Sequence, residues 1–415
     1  MIFLQKMFAH VVHRGRLTVH YPDGSVHVIS GAKAGPEAAI AIRDRRTIHR
    51  LLLNPGLAFG EAFMDGAIEP INCSIFEILD LLVLNMQERE PAVERVLARI
   101  RHARRWLDQF NLASRARRNA AHHYDLDGRL FRLFLDRDIQ YSCAYFPTGD
   151  ETLEEAQALK KRHVAAKLML DRPGLEVLEI GCGWGGMALT LAREWGARVT
   201  GITLSTEQLE VARARASEAG LSDRVSFELM DYRAWERPVD RVVSIGMFEA
   251  VGIVHYQAFF DTIRRALRED GVALVHSIGR SAGPGNTNPW LAKYIFPGGY
   301  SPALSEVLPA VEKSGLWMTD LEILRMHYAK TIAHWRGRFA ANRDAIRAMH
   351  DERLCRMFEF YLAGCELAFR HMGHMNWQMQ LTRRMDALPL TRDWMLFMEK
   401  EGQRQSSPTF GPVAS

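Results

Sequence analysis

From about Leu175 to Ser277 the sequence switches repeatedly between strand-like and helix-like hydrophobic periods, and this constrains the fold more than any other feature. Apolar strands are expected at Glu176–Ile180, Arg198–Ile202, Val225–Leu229, Val239–Ile245 and Gly271–Ser277. Helical periods fall between them at Trp184–Trp195, Thr206–Ala219 and His255–Leu267. Regular alternation of this kind implies a parallel sheet covered by helices, a doubly wound α/β domain. Ligands of such folds bind beyond the carboxyl ends of the strands, which is where site residues are sought.

The first strand runs into Glu179-Ile180-Gly181-Cys182-Gly183-Trp184-Gly185-Gly186 and then a helix. Glycines there let backbone approach a ligand with no Cβ in the way. The spacing is ExGxGxG, not the GxGxxG of a dinucleotide fingerprint. It resembles the first-strand motif with which class I methyltransferases hold S-adenosylmethionine; the alternative is a tight strand–helix turn with no ligand. Cys182 has no basic sequence neighbour to lower its pKa and reads as a small filler, not a nucleophile. The second strand ends Thr203-Leu204-Ser205 without the acid that commonly holds a ribose. Asp231-Tyr232 follows the third strand and is positioned to flank an adenine, the competing role for Asp231 being a helix cap.

The region before this domain differs in pattern. Arg16–Ser30 reads as a hairpin turning at Pro22-Asp23-Gly24. A strand at Ala38–Ile42 and helices at Arg46–Asn54 and Ser74–Asn85 follow, Ser74 being an N-cap. Pro91–Phe110 carries Val93, Val96, Leu97, Ile100, Ala103 and Leu107 at helical spacing. Between Glu94 and Arg118 stand eight arginines (Arg95, Arg99, Arg101, Arg104, Arg105, Arg115, Arg117, Arg118) against Glu94 and Asp108. A basic amphipathic helix of this kind lies on an anionic membrane surface or packs, solvated, on a neighbouring domain. After the sheet, Gly279–Gly299 reads as a loop over its C-terminal edge, Ala329–Asn342 and Arg353–Arg370 as helices, and Asn376–Thr382 as a final edge strand. The expected organisation is an N-terminal lipid-binding, membrane-docking domain over 1–115, a catalytic domain over 116–400 and a disordered tail over 401–415.

Five cysteines, irregularly spaced and with no CxxC pair, argue against a disulfide framework or zinc ribbon. His122-His123 and His371-x-x-His374 lack Cys or carboxylate neighbours at ligand spacing, so no metal is expected. No apolar run approaches the ~18 residues of a membrane span. A cytoplasmic protein, peripheral on the inner face of the membrane, is expected.

Two titratable groups fall at adjacent strand ends: Glu249 in Gly246-Met247-Phe248-Glu249 and His276 in His276-Ser277-Ile278-Gly279. Each has a bland reading, a surface acid and a core histidine. With Tyr141–Phe146, Glu179–Gly186, Thr203-Leu204-Ser205, Gln208, Tyr294–Gly299 and His327-Tyr328, these segments resemble the cyclopropane-fatty-acyl-phospholipid synthases and mycolic acid cyclopropane synthases, in family order from about Arg118 to Gln380. The resemblance implies a class I methyltransferase (Rossmann-like) α/β fold with a seven-stranded sheet and a smaller α+β N-terminal domain. It implies that Tyr141, Ser142, Gly181, Gly183, Thr203, Leu204 and Gln208 hold S-adenosylmethionine, with Glu179, Gly185, Asp231 and Tyr232 placed beside it by the motif reading. It implies that Cys143, Glu249, His276, Ile278 and Tyr328 surround a bicarbonate ion serving as general base. The missing second-strand acid is also that family's habit.

The implied reaction moves a methyl group onto the cis double bond of an unsaturated acyl chain in a membrane phospholipid and closes a cyclopropane ring. Aromatic residues Tyr141, Tyr145, Phe146, Tyr294 and Phe296 are candidates for an acyl channel that stabilises cationic character, core packing being the competing role of each. The alternatives are a methyl-branching or methylene-forming fatty-acyl methyltransferase, a small-molecule N-methyltransferase and a non-enzymatic lipid-binding protein. Nucleic acid is not an expected partner, since no base-methylating motif is present; a homodimer is left open.

Overall fold

The computed structural model of the protein describes residues 1–109 and 128–406. The chain divides into two compact units. One comprises Met1–Gln109, Arg280–Ser301 and Tyr328–Met375; the other comprises Phe110–Gly279, Pro302–His327 and Asn376–Ser415. Two segments that the sequence reading assigns to the catalytic domain, 280–301 and 328–375, therefore pack with the N-terminal unit. The reason is apolar: the helix Glu352–His371 places Ala363 and Leu367 in one core with Leu17, Ile40 and Leu81. Arg115, Arg117, Arg118, His122 and His123 lie outside the described residues, as does the expected boundary near 115.

In the N-terminal unit, strands β1 (Arg14–His20), β2 (Val26–Ser30), β3 (Lys33–Ile42) and β4 (Ile68–Pro70) form a sheet in the order β2-β1-β3-β4. β1 and β2 make the expected hairpin, Arg16 opposite Ser30. Its turn has Gly24 at φ 83°, and Asp23 accepts hydrogen bonds from the Ser25 backbone and hydroxyl. The helix Arg45–Leu53 starts at Asp44, whose carboxylate accepts from Thr47 N at 2.7 Å. The helix Ile75–Met86 opens with a capping box between Ser74 and Glu77.

The helix Ala92–Asp108 is amphipathic, and polar contacts help to hold it. Glu94 is buried, pairs with Arg101 and accepts from Gly56 N at 3.3 Å, and Ala98 O accepts from Asn286 Nδ2 at 2.9 Å. Val96 and Ile100 are left 55% and 51% exposed, beside exposed Arg95, Arg99 and Arg104. The stretch read as a loop, Gly279–Gly299, contains the helix Pro289–Tyr294, which Asn288 caps.

In the second unit, β5 (Glu176–Ile180), β6 (Arg198–Thr203), β7 (Val225–Leu229), β8 (Val239–Ile245), β9 (Leu267–Arg280), β10 (Trp317–Leu324) and β11 (His374–Thr382) form the expected seven-stranded sheet. Its order is β10-β11-β9-β8-β5-β6-β7, with β5 to β9 parallel and β10 antiparallel to β11. The expected edge strand is instead interior: β11 lies between β9 and β10, and β10 is the edge. Trp377, Met379 and Leu381 on one face of β11 and Gln378, Gln380 and Thr382 on the other are all buried. The helix Asp393–Ser406 packs on the helices Leu153–Lys167 and Gly186–Trp195, so the expected tail begins as helix; residues 407–415 lie outside the described residues. No helix among the described residues is long and apolar enough to cross a membrane.

Candidate active site

The glycine loop joins β5 to the helix Gly186–Trp195 with Gly181, Gly183 and Gly185 at φ 82°, 52° and 82°. All three occupy the left-handed region that glycine tolerates without strain. Their surroundings differ. A Cβ on Gly181 would meet Met247 Cβ at 2.8 Å, and one on Gly185 would meet Phe227 Cζ at 2.7 Å. A Cβ on Gly183 would meet nothing within 4 Å. The loop thus packs tightly at both ends and turns its middle to open space.

Glu179, one strand position before the loop, is buried with Oε2 lacking a hydrogen-bond partner. Burial pushes its pKa up to about 8, opposed by the Lys160 charge. Lys160 is fully buried on the helix Leu153–Lys167, donating to Gln140 Oε1 at 2.6 Å and Ser142 Oγ at 2.9 Å. Gln157 reaches the same segment, donating to Ser142 O at 2.9 Å. That helix therefore fixes the chain through Ser142. The Ser142 Cβ lies 3.9 Å from where a Cβ on Gly246 would stand, which brings the segment to the end of β8. Tyr141 packs its ring edge-on against Phe131 and Phe134, and Cys143 is buried with Sγ 3.3 Å from Ala144 O.

At the end of β6, Thr203 Oγ1 donates to Gln208 Oε1 at 2.9 Å, and Ser205 Oγ caps the following helix by accepting from Gln208 N. Leu204, between them, is half-buried. Asp231 takes the capping role: it accepts from the backbone of Arg233, and its two oxygens meet Arg233 Nε and Nη2 at 2.8 and 2.6 Å. Tyr232 is buried edge-on to Phe259, and burial raises its pKa to about 12. Cys182 fits its role as filler: it is buried against the Gly201 backbone, and burial pushes its thiol up.

Glu249 stands on the turn Phe248–Ala250 after β8. Its Oε1 accepts from Ile278 N at 2.5 Å, joining the ends of β8 and β9, while Oε2 is buried without a partner. Burial raises its pKa, and the hydrogen bond from Ile278 opposes that. His276, 1% exposed near the end of β9, meets Gln378 Nε2 at Nδ1 (3.2 Å) and Asn376 Nδ2 at Nε2 (3.3 Å). Burial is the main cause of a His276 pKa lowered to about 3, so the ring is neutral near pH 7. Phe146 N donates to His327 Nδ1 at 2.9 Å, and Tyr145 stacks between His163 and His327 at 4.1 and 5.1 Å.

The fold thus gathers Ser142, the glycine loop, Glu249, His276 and Ile278 at the carboxyl ends of β5, β8 and β9. Tyr328 belongs to the other unit, where its ring lies 5.7 Å from Trp335 and 4.8 Å from Phe369. Sequence reasoning missed Lys160, Lys167, Asn376 and Gln378. The signal for the last two was the Asn-x-Gln-x-Gln-x-Thr alternation of 376–382, which resembles a solvated edge.

This sheet order and glycine loop define the class: an S-adenosylmethionine-dependent methyltransferase of the class I fold. Residues 112–379 match the mycolic acid cyclopropane synthetase family, and the chain belongs to it. Residues 3–89 match a domain of unknown function (DUF7884). The cyclopropane-fatty-acyl-phospholipid synthase of Escherichia coli K12 is 36% identical over 348 residues, 83% of this chain and 88% of that one. A probable fatty acid methyltransferase of Pseudomonas putida is 40% identical over 257 residues, 60% of this chain and 65% of that one. The structure of the mycolic acid cyclopropane synthase CmaA1 complexed with SAH and CTAB superposes with a TM-score of 0.60 at 33% identity, covering 64% of this chain and 97% of that one.

Proposed function

We propose that this enzyme methylates the cis double bond of unsaturated acyl chains in membrane phospholipids and closes a cyclopropane ring. The observation that carries the reading is Glu249: a carboxylate buried at the strand ends beside the glycine loop, with one oxygen occupied by Ile278 N and the other without a partner. Ring closure requires a proton to leave the new methyl group, and a buried carboxylate at this place is suited to orienting the group that takes it.

The residues fit S-adenosylmethionine on two counts: the open space at Gly183 and the partnerless Oε2 of Glu179, an acceptor for an ammonium group whose charge would favour the ionised carboxylate over the protonated form that burial alone imposes. Tyr141, Ser142, Gly181, Gly183, Thr203, Leu204 and Gln208 would hold it, and when bound it supplies an activated methyl group. An alkene is a poor nucleophile, so these residues contribute alignment and exclusion of water. Asp231 is engaged by Arg233, which favours its capping role over an adenine contact. The Glu249 Oε2 also fits bicarbonate, whose hydroxyl is the donor it lacks. Cys143, Glu249, His276 and Ile278 would line that site, where the ion would supply a base. Glu249 Oε2 would accept a hydrogen bond from the ion, while Ile278 N fixes the other oxygen.

The helix Ala92–Asp108 supports docking on an anionic bilayer. Glu94 and Arg101 are turned to the protein, and Val96 and Ile100 are exposed beside Arg95, Arg99 and Arg104. Each basic residue near such a surface adds roughly 1 kcal/mol, screened by salt. The enzyme is thus peripheral to the membrane. Turnover is expected to fall in buffer freed of bicarbonate and return when it is added back. Bicarbonate-independent turnover would turn the reading toward methyl branching.

A further inference from the structure

His276 has both ring nitrogens against amides of β11, and the chain of bonds behind one of them fixes which nitrogen carries the proton. Lys167 Nζ donates to Gln378 Oε1 at 2.8 Å. An ammonium has donors only, so the oxygen of the Gln378 amide must face Lys167 and its NH2 must face away. That NH2 lies 3.2 Å from His276 Nδ1. It too only donates, so Nδ1 must be the bare nitrogen, and in a neutral imidazole the proton is then on Nε2. Lys167 cannot easily swing out of this arrangement. It is buried, pairs with Glu322, and its own carbonyl accepts from Gln380 Nε2 at 2.6 Å. Glu322 also meets His163 Nε2 at 2.7 Å.

We propose that Gln378, oriented by Lys167, is a positioning residue that holds His276 as the neutral tautomer protonated on Nε2. The inference rests on the placement of His276 in the site proposed above. It gives the ring one job there: it donates an N–H toward an anion and does not act as the base. Asn376 sits 3.3 Å from that nitrogen, and a half-turn of its amide brings Oδ1, buried and partnerless, to the same place. The N–H therefore has a protein acceptor available when no anion is bound. The charges acting on the ring agree with a neutral form. After burial, Lys160, Lys167 and His163 from the helix Leu153–Lys167 disfavour a second proton, and Glu322 from β10 opposes them.

The test is nitrogen NMR of the full-length enzyme labelled in histidine rings, with His276 identified by its loss in His276→Asn. The expected result is a bare Nδ1 and a protonated Nε2 that do not change from about pH 5 to about pH 8, where an ordinary histidine titrates. Gln378→Glu replaces the donor by an acceptor. In that variant Nδ1 should become protonated, and the ring should titrate within the same window with a matching inflection in the pH–rate profile. Gln378→Met, which keeps the bulk and removes the hydrogen bond, should lose the tautomer preference without gaining the inflection. A wild-type ring protonated on Nδ1, or one titrating near about 6.5 as free histidine does, overturns the proposal whether or not the variants fold. If His276→Asn turns over at the wild-type rate while the tautomer is as stated, the site assignment fails and the positioning claim stands.

Discussion

Two buried carboxylates with very different neighbours give the residue scale its predictions. Glu249→Gln keeps shape and removes charge, and a positioned proton-handling group is worth about 10²–10⁴-fold in rate. Turnover should fall by that order while S-adenosylmethionine affinity, read by calorimetry, stays within about twofold; equal losses in both would move Glu249 into cofactor binding. Glu179 gives a pH dependence of stability. Its pKa is raised by burial from 4.5 to about 8, so the native state keeps a proton that the unfolded chain has released. The stability contributed is intact below 4.5, falls through the interval and is gone above about 8. Lys160, lowered by burial to about 8, binds fewer protons than in the unfolded chain only above that value, so it does not mask the trend. Glu179→Gln should therefore melt at a temperature that rises relative to wild type from about pH 5 to about pH 8; parallel curves would show that Glu179 is ionised in the folded protein. The glycine loop, Glu249 and His276 were legible because strand ends and glycine spacing mark them. Lys160 and Lys167 were not, because a lysine within a helix ordinarily reads as solvated, and only the tertiary fold turns these two inward.

At the scale of elements, the loop after β5 separates cofactor contact from packing. Gly183→Val puts a branched side chain at φ 52° into open space, so the cost to folding is about 1–2 kcal/mol of left-handed strain while cofactor binding is lost. Gly185→Val drives the same side chain into Phe227 and should show its loss in melting temperature first. If the two variants cannot be told apart by thermal melts and calorimetry, the loop does not divide these tasks. The parallel core of the sheet was legible in the sequence because buried parallel strands are continuous apolar runs bounded by turns. The position of β11 was not. Its alternating polar residues imitate an exposed edge, yet Gln378 and Gln380 are buried and satisfied by Lys167 and His276, partners more than a hundred residues away.

On the scale of the whole molecule, the sequence reading drew a boundary between an N-terminal region and a catalytic one but could not see that 280–301 and 328–375 pack with the former. Nothing local marks that assignment; it follows from apolar residues such as Ala363 and Leu367 finding the N-terminal core. The arginine cluster was legible as charge, whereas its outward members were not: Arg101 is taken up by Glu94, and Arg95, Arg99 and Arg104 are exposed. Flotation with vesicles should rise with anionic lipid and fall with salt. Reversing Arg95, Arg99 and Arg104 to Glu should abolish it, and undiminished flotation would remove this helix from the membrane contact. The central claim, ring closure on a phospholipid acyl chain, is tested most directly by product analysis. Purified enzyme is given methyl-labelled S-adenosylmethionine and vesicles of cis-unsaturated phospholipid, and the acyl chains are examined by NMR and mass spectrometry. The account predicts the label in the ring methylene of a cyclopropane at the position of the former double bond; label in a methyl branch or an exocyclic methylene would contradict it.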